Sequence, residues 1–527
     1  MRVQSRFRGG REVQAETELF QAHEMRSLFV ADMTMLDWLP GKVDAQSRLQ
    51  SSSSGRSMNS KKITLPFAIA LITLGTLGVL GGCSSVPVVD TTALPAMPVA
   101  FKEADPRWTA AVPAESQARG NWWKAFADPV LDDLVERANS GNSSIQQAGA
   151  RVEQAKALLR GADANRTLQV SANAGASRQG GALINAIGSS GTLFNTSVNL
   201  SYETDLFGRL AKASDAAAHD AKGREALMQS ARLAVQTDVA QTYFSMRGLD
   251  TERAVLRAAL TAQRAAIELN ERRVRAGLIA DIDLERQRMS LTATEADLAT
   301  LERQRAQSEH ALAVLVGEAA SSFAVLERDW TGALPVIPPG IPSALLARRP
   351  DVSAAQSSIL STRSRLGASQ AAWFPSLSLT TSSGFASPEL SHLFRTSVLD
   401  WAIGGVLSLP LFDGGRREAG LKGAAAEVDL SLATYREQVL IAFKDVEDQL
   451  ASLRILSDQA DIQQRALTLA ARIANLSESR FRSGLSSKLE VLDARQSELL
   501  SERKVVQVRA SRYQVTVALV KALGGGW

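Results

Sequence analysis

Side chains capable of catalysis or metal binding are sparse in this chain. Its four histidines, His23, His219, His310 and His392, lie far apart and show none of the spacings by which imidazoles share a metal ion. A single cysteine, Cys83, excludes both an intramolecular disulfide framework and a site with several thiolate ligands. No nucleophile and base stand in a recognisable pattern, and no glycine-rich phosphate loop is found. We therefore predict that the protein is not an enzyme and needs no cofactor and no metal.

Cys83 has surroundings that favour lipid attachment. Basic residues precede an uncharged stretch over 63–80, and the run Leu80-Gly81-Gly82-Cys83 resembles a bacterial lipobox. The stretch is also just long enough for a transmembrane anchor, and secretion without lipidation is a further alternative. We expect a lipoprotein signal peptide over 58–82 and an acylated Cys83, and Ser84 fits sorting to the outer membrane.

The run Leu345-Leu-Ala-Arg348-Arg349-Pro350-Asp351 could be mistaken for an anion site. Proline close to an acidic residue is typical of a first helical turn, where a carboxylate interacts favourably with the helix dipole. We predict that the run opens a helix and that its arginines bond to neighbouring loops.

Aromatic residues make up only 5% of the chain, while Ala, Leu, Gln, Arg and Ser dominate, and this composition is typical of proteins built from long helices. Hydrophobic residues make up 45% and charged residues 22%, which excludes a disordered chain and a helical membrane protein with many spans. The 59 basic and 55 acidic residues give a net charge of +4, which is too balanced to indicate a nucleic-acid partner.

Two parts of the chain repeat the same motifs in the same order. Arg273-Val-Arg-Ala-Gly-Leu278 matches Arg480-Phe-Arg-Ser-Gly-Leu485 at an offset of 207 residues, and Tyr202–Arg209 has a counterpart in Leu409–Arg416. The sequence therefore predicts two tandem structural repeats. The expected divisions are a non-native upstream extension (1–57, the alternative being a cytoplasmic segment), the signal peptide (58–82), a lipidated N-terminal strap (83–128), repeat 1 (129–316), a linker (317–342), repeat 2 (343–523) and a C-terminal tail (524–527).

Each copy shows the same order of periodicities. A helix of moderate length comes first, then two segments that alternate with period two, then a very long helix and a shorter one. The predicted bounds are 129–165, 167–203, 209–274 and 281–316 in the first copy, and 342–372, 376–409, 416–481 and 488–523 in the second. At 1.5 Å per residue each long helix spans ~100 Å, which suits an extended coiled coil rather than a globular domain.

The alternating segments have one apolar and one polar face. Leu200 and Ile403 belong to the apolar set and Asn199 to the polar set. About ten residues with this pattern suit a strand between lipid and a polar lumen, although a soluble sheet alternates in the same way.

Several longer motifs resemble those of the TolC-like outer membrane factors, in particular the lipoprotein (NodT-type) exit ducts of RND multidrug efflux systems. They are Trp122-Trp123-Lys-Ala-Phe126-Ala-Asp128-Pro129, Tyr202-Glu-Thr-Asp-Leu-Phe-Gly-Arg209, Gly340-Ile-Pro-Ser-Ala-Leu-Leu-Ala-Arg-Arg-Pro-Asp351 and Ala372-Trp-Phe-Pro-Ser-Leu377. The resemblance covers about residues 114–523. The first copy departs from it, because Arg166-Thr167 stands where the second copy has Phe374-Pro375.

The resemblance implies an α+β membrane duct. Three subunits would each contribute four strands to a twelve-stranded transmembrane β-barrel, continued by an α-helical coiled-coil tunnel in the periplasm. The homotrimer would be lipid-anchored in the outer membrane and would meet a periplasmic adaptor and an inner-membrane RND pump. It would be a passive exit duct for drugs or other small solutes. A duct for type I protein secretion is the alternative within the family, and a structural lipoprotein without transport is the alternative outside it.

The resemblance also assigns roles to the tips of the helical hairpins. Adaptor contact is expected at Arg275, Gly277, Leu278, Arg482, Gly484 and Leu485, where the alternative is an ordinary glycine-terminated turn.

The tunnel entrance is expected next to the second tip. Glu490 and Asp493 lie three residues apart on one helix face, and three copies would form a carboxylate ring that gates the channel and favours cations. A solvated helix face is the alternative. Phe481 and Ser486 stand where the family often has a tethering tyrosine and a basic residue. We therefore expect a different tether, in which Arg480, Arg482 or Lys488 pairs with Asp281 or Asp283.

Overall fold

The computed structural model describes residues 101–103, 120–179, 191–328, 330, 332, 334–335, 337 and 348–525. The upstream extension, the signal peptide, Cys83 and most of the strap lie outside the described residues, so the expectations for them stay predictions.

Seven α-helices and four β-strands occur in the part of the chain that the structure describes. In chain order they are α1 (Pro129–Gly141), α2 (Ser143–Ala164), β1 (Gln169–Gln179), β2 (Gly191–Thr204), α3 (Arg209–Arg275), α4 (Asp281–Val316), α5 (Pro350–Ala371), β3 (Ser376–Ser387), β4 (Leu399–Ser408), α6 (Arg416–Arg482) and α7 (Lys488–Ala522). Both long helices, α3 and α6, have 67 residues. No helix within the described ranges is long and apolar enough to cross a bilayer.

The first helix of each copy differs from the prediction. A single helix over 129–165 is wrong, because Asn142 is extended and divides it into α1 and α2. The Asn142 side chain accepts hydrogen bonds from the backbone N–H groups of Ser144 and Ile145, and its Nδ2 donates to the Leu315 carbonyl at 2.7 Å. In the second copy Arg349 is extended and α5 begins at Pro350, while residues 342–347 of the predicted helix lie outside the described residues.

The four strands form one antiparallel sheet in the order β1-β2-β3-β4. The helices that continue from it have the same lateral order, since α2 packs on α3, α3 on α5, and α5 on α6. Among the described residues, β1 and β4 each have one unpaired edge, and α2 and α6 make no extensive contact with each other.

The hydrophobic core lies where the strap meets the long helices. Phe126, from a short 3-10 helix, packs against Phe244 and Tyr513 with ring centroids 4.9 and 5.9 Å apart. Asp128 caps α1 and accepts a hydrogen bond from the Tyr243 hydroxyl at 2.6 Å. Burial of each large aromatic side chain stabilises the fold by roughly 2–3 kcal/mol, so this cluster fixes the strap to the helices.

Candidate functional site

The two faces of the sheet differ in polarity along most of its length. One row across the four strands contains Val170, Leu200, Thr381 and Ile403. The adjacent row, on the opposite face, contains Ser171, Asn199, Ser382 and Ala402. Leu200 and Ile403 therefore share the apolar face and Asn199 lies on the polar face, which confirms the predicted alternation. A sheet with one apolar and one polar face can separate lipid from water.

Glycines and aspartates form the turns from strands into long helices. Gly208 and Gly415 adopt left-handed φ angles of 76° and 86°, which suit residues without a Cβ. The Asp205 carboxylate accepts hydrogen bonds from the backbone N–H groups of Leu210 and Ala211 at 3.1 and 2.7 Å. These bonds satisfy N–H groups that the first helical turn leaves free, so they hold the helix at a fixed angle to the strand.

The two strand-to-helix turns differ in how their apolar side chains are covered. In the first, Phe207 stacks on Phe374 with ring centroids 4.7 Å apart. In the second, Leu411 and Phe412 are 88% and 91% exposed. The subunit therefore has an uncovered apolar surface beside the free edge of β4.

Arg349 and Asp351 form a partly buried ionic cluster at the start of α5, where Asp351 lies in the first helical turn as predicted. The predicted bonding to neighbouring loops is wrong for Arg349, because its partners, including the Ala522 carbonyl of α7 at 3.2 Å, lie on helices. Arg349 donates to Asp351 at 2.7 Å and to Asp445 of α6 at 3.1 Å. Asp351 also accepts a hydrogen bond from Gln438 at 2.7 Å. Burial alone would raise the pKa of Asp351, but its bonds to Arg349 and to the backbone N–H of Val352 lower it below the usual value.

A second buried cluster was not predicted from the sequence. Arg247 is 2% exposed and donates to Asp250 at 3.3 Å and to the Leu326 carbonyl at 2.7 Å. Arg305 of α4 donates to Asp250 at 3.1 Å and to the Val325 carbonyl at 2.5 Å. The cluster therefore fixes the start of the linker against α3 and α4. In sequence these charges look like an ordinary solvated helix face, so no local signal could have found them.

The hairpin tips share one turn geometry. Gly277 and Gly484 have φ angles of 69° and 74°. The N–H of Leu278 donates to the Arg273 carbonyl at 2.9 Å, and that of Leu485 donates to the Arg480 carbonyl at 2.8 Å. This is the hydrogen bond of a glycine-terminated helix, and both leucine side chains remain exposed on the tips.

The two carboxylates expected to form the gate lie at the start of α7. Ser487 caps this helix and accepts a hydrogen bond from the Glu490 backbone N–H at 3.2 Å. Glu490 and Asp493 are both exposed in the isolated subunit. Although Asp493 is exposed as a residue, the protein around it partly desolvates its carboxylate, and this raises the pKa of Asp493.

The basic residues near this tip bond within their own helical hairpin. Lys488 lies 3.6 Å from Glu478 and places its ammonium 5.2 Å from the ring centroid of Phe481. Arg482 lies 3.3 Å from the same glutamate, and Arg480 reaches the carbonyl of Leu485 at 3.4 Å. Glu478 is thus the shared acidic partner of Lys488 and Arg482, and the motifs did not indicate it.

Asp281 and Asp283, the acids predicted to form the tether, do not pair with the basic residues of the second tip inside one subunit. Asp283 pairs with Arg286 at 3.6 Å, three residues further along α4. Asp281 makes no ion pair within the described residues. A tether from the second tip to Asp281 or Asp283 is therefore not formed inside one subunit and stays a prediction for contacts between subunits.

Comparison with known proteins identifies the chain. The sequence profile described as outer membrane efflux protein matches residues 134–318 and 341–525, which together cover more than half of the chain. The chain belongs to the outer membrane efflux protein family. Its two matched segments correspond closely to the two predicted copies.

The alignments with individual relatives cover nearly the whole length of each relative. The cation efflux system protein CusC of Escherichia coli O6:H1 is 30% identical over 470 residues, which is 88% of this chain and 98% of CusC. The probable outer membrane lipoprotein SilC of Salmonella typhimurium is 29% identical over 463 residues, which is 88% of this chain and 99% of SilC. The structure of the outer-membrane channel OprN superimposes with a TM-score of 0.76 at 27% identity, and covers 84% of this chain and 100% of OprN.

These comparisons confirm the predicted family, the function as an outer membrane component of an efflux system, and the outer membrane location. The relatives are efflux proteins and give no support to the alternative of protein secretion. The fold is that of the outer membrane efflux channels. The family consists of channels rather than enzymes.

Proposed function

We propose that three copies of the efflux protein close a twelve-stranded barrel in the outer membrane and form one periplasmic tunnel. The open four-stranded sheet, apolar on one face and polar on the other, is the observation that carries this proposal. Unpaired strand edges are not tolerated in lipid, so the edges of β1 and β4 must pair with those of other copies.

The number of copies follows from the width that a solute needs. With four strands per copy, two copies would close an eight-stranded barrel, whose interior is just wide enough to be filled by side chains. Twelve strands are the next possibility and leave an interior for water and solutes. Three copies are also what the resemblance to the TolC-like factors implies.

The contact between neighbouring copies should repeat a contact that is already present inside each copy. Helix α3 packs on α5 through an Arg365–Asp220 ion pair of 2.5 Å and a hydrogen bond from Ser361 to the Ala216 carbonyl. The same offset of 207 residues relates α3 to α6 and α2 to α5. By this equivalence α6 of one copy should pack on α2 of the next, with Glu427 beside Leu158.

Cross-linking tests this arrangement. Cysteines at Leu158 and Glu427, joined by a short bifunctional maleimide, should give covalent dimers and trimers on a denaturing gel. The matched control has cysteines at Arg365 and Asp220, the equivalent positions within one copy, and should stay monomeric on the gel. Monomers from the first pair, obtained from a sample whose native mass is that of a trimer, would reject the proposed packing.

The tunnel end opposite the barrel should bind the other two components of a tripartite pump. Exposed Leu278 and Leu485, with Arg275 and Arg482 on the same tips, supply the apolar and charged surface for a periplasmic adaptor. An inner-membrane RND pump would supply the energy, and the efflux protein would provide a passive path for the solute.

Glu490 and Asp493 would form the gate of this path. Three-fold symmetry brings three copies of each carboxylate to the same height of the tunnel, where like charges concentrate cations. CusC belongs to a cation efflux system, so metal cations and organic solutes are both candidate cargoes here. Susceptibility of a deletion strain to drugs and to metal salts, with and without the restored gene, tests the function, and unchanged susceptibility to both would contradict it.

Lipidation of Cys83 is part of the same proposal. SilC is described as an outer membrane lipoprotein, which supports an acyl anchor in a chain with this lipobox-like run.

A further inference from the structure

We propose that the apolar face of the sheet, at the end where the hairpins turn, binds phosphate groups of outer-leaflet lipids through Arg178. This inference rests on the proposed barrel, because the apolar face must meet lipid. It adds a lipid of defined chemistry to the partners of the efflux protein.

Arg178 lies on the apolar face of the sheet near the end of β1. It pairs with Thr192, two residues beyond the pair formed by Ala176 and Phe194. Because side chains alternate along a strand, Arg178 shares its face with Val170. Its side chain is exposed and makes no ion pair within the described residues.

Acidic residues at this end of the sheet do not neutralise Arg178. Asp400 pairs with Gly384 and so lies on the polar face, between Leu399 and Trp401 on the apolar face. Glu389 is bonded to His392 at 3.0 Å. A guanidinium on the lipid-facing surface therefore needs an anion from outside the subunit.

Aromatic side chains lie near the same end of the sheet, where Phe385 shares a row of paired residues with Ala174, four residues before Arg178. Phe385 and Phe394 meet edge to face with ring centroids 5.8 Å apart, and Phe394 is 75% exposed. Aromatic residues of membrane barrels collect at the level of the lipid headgroups. Arg395, next to Phe394, is also exposed and has no ion pair among the described residues.

Phosphate is the anion that this position would meet. Guanidinium groups bind phosphate oxygens through two parallel hydrogen bonds, and the outer leaflet of an outer membrane is made of phosphorylated glycolipid. Arg178 and Arg395 of three copies would place six cations around the rim.

Lipid retention by the purified trimer tests the inference. The probes are bisphosphorylated lipid A and the same lipid after phosphatase treatment, each added to the trimer in detergent and quantified by native mass spectrometry. The wild type should retain the phosphorylated lipid roughly tenfold better, and Arg178→Gln with Arg395→Gln should abolish this preference.

The matched control changes arginines at the other end of the same sheet. Arg166→Gln with Arg416→Gln removes two exposed cations near the helix junctions and should keep the preference. A rim variant that retains the preference, or a control that loses it equally, would overturn the inference. Failure of the proposed barrel would look different, because the wild type itself would then not form trimers.

Discussion

Asp351 illustrates how one charged side chain joins segments that are distant in the sequence. It connects the start of α5 to Arg349 and to Gln438 of α6, 87 residues away. Replacement by Asn leaves the buried Arg349 with only part of its anionic surroundings, so we expect a loss of ~2 kcal/mol in stability. The apparent thermal unfolding midpoint at pH 7 should fall accordingly.

The loss on replacing Asp351 should depend on pH with a defined sign. The pKa of Asp351 is lowered in the folded state, so its contribution is present above the ordinary carboxylate range and disappears as the pH falls through the folded value. Wild type and Asp351→Asn should therefore converge in acid. Asp448→Asn, which removes an exposed ion pair with Lys444, is the control and should not change the midpoint. A pH-independent difference would contradict the assigned role.

The proposed gate residues give a prediction for ion conduction. Glu490→Gln with Asp493→Asn should reduce cation selectivity and block by divalent ions in planar-bilayer recordings, because the carboxylate ring loses its charge. In the wild type the selectivity should fall as the pH is lowered, and the raised pKa of Asp493 makes this begin above the ordinary aspartate range. Glu498→Gln with Glu502→Gln, further along the same helix, serves as the control. Unchanged selectivity in the first variant would place the constriction elsewhere.

The strands of the sheet supply a test of which face meets lipid. Leu200→Asp and Ile403→Asp put a charge on the apolar face and should impair membrane insertion, at a cost of ~2–4 kcal/mol at mid-depth. Asn199→Asp, one residue away on the polar face, should insert normally. Heat-resistant trimer recovered from the outer membrane is the measurement. Equal recovery of the Leu200 and Asn199 variants would refute the assignment of the faces.

The two helical hairpins, α3–α4 and α6–α7, have tips with the same turn but different charged neighbours. Both tips use the same left-handed glycine and the same backbone bond. Only the second tip has Lys488 and Arg482 gathered around Glu478. The two tips of a subunit should therefore offer an adaptor one shared backbone shape with two different charge patterns.

Attachment of the whole molecule to its membrane is expected to involve two independent devices. The barrel would insert through its apolar face, and acyl chains on Cys83 would add ~0.8 kcal/mol for each buried CH₂. Mass spectrometry of the mature protein should find Cys83 at the N-terminus and acylated. Cys83→Ser should shift the protein away from the outer membrane fraction while trimers still form. An unmodified Cys83 preceded by signal-peptide residues would contradict lipidation.

Residues 101–103 of the strap are bound to helix α6. Two successive backbone N–H groups, of Lys102 and Glu103, donate to the Glu447 carboxylate at 2.7 and 2.9 Å, and Glu103 accepts a hydrogen bond from Arg454 at 2.8 Å. Phe101 is buried beside them. These contacts fix this part of the strap to α6.

Local pattern was sufficient to predict the long helices and the faces of the strands. The predicted helices over 209–274 and 416–481 end within one residue of the observed Arg275 and Arg482. The alternation of Leu200 and Asn199 gave the correct faces of the sheet. These features were predictable because hydrophobic periodicity and the turn preference of glycine act over a few neighbouring residues.

Hydrogen-bond and ion-pair partners that are distant in the sequence could not be predicted from it. Asn142 interrupts the first helix because its side chain meets the Leu315 carbonyl, 173 residues away. Arg247 is buried where it bonds to the Leu326 carbonyl of the linker and to Asp250, which also accepts a hydrogen bond from Arg305 of α4. Within one subunit Lys488 pairs with Glu478, because those two residues face each other across the second hairpin. Each choice depends on which of many similar polar groups the folded chain brings within about 3 Å, and that distance is set by packing rather than by spacing along the chain.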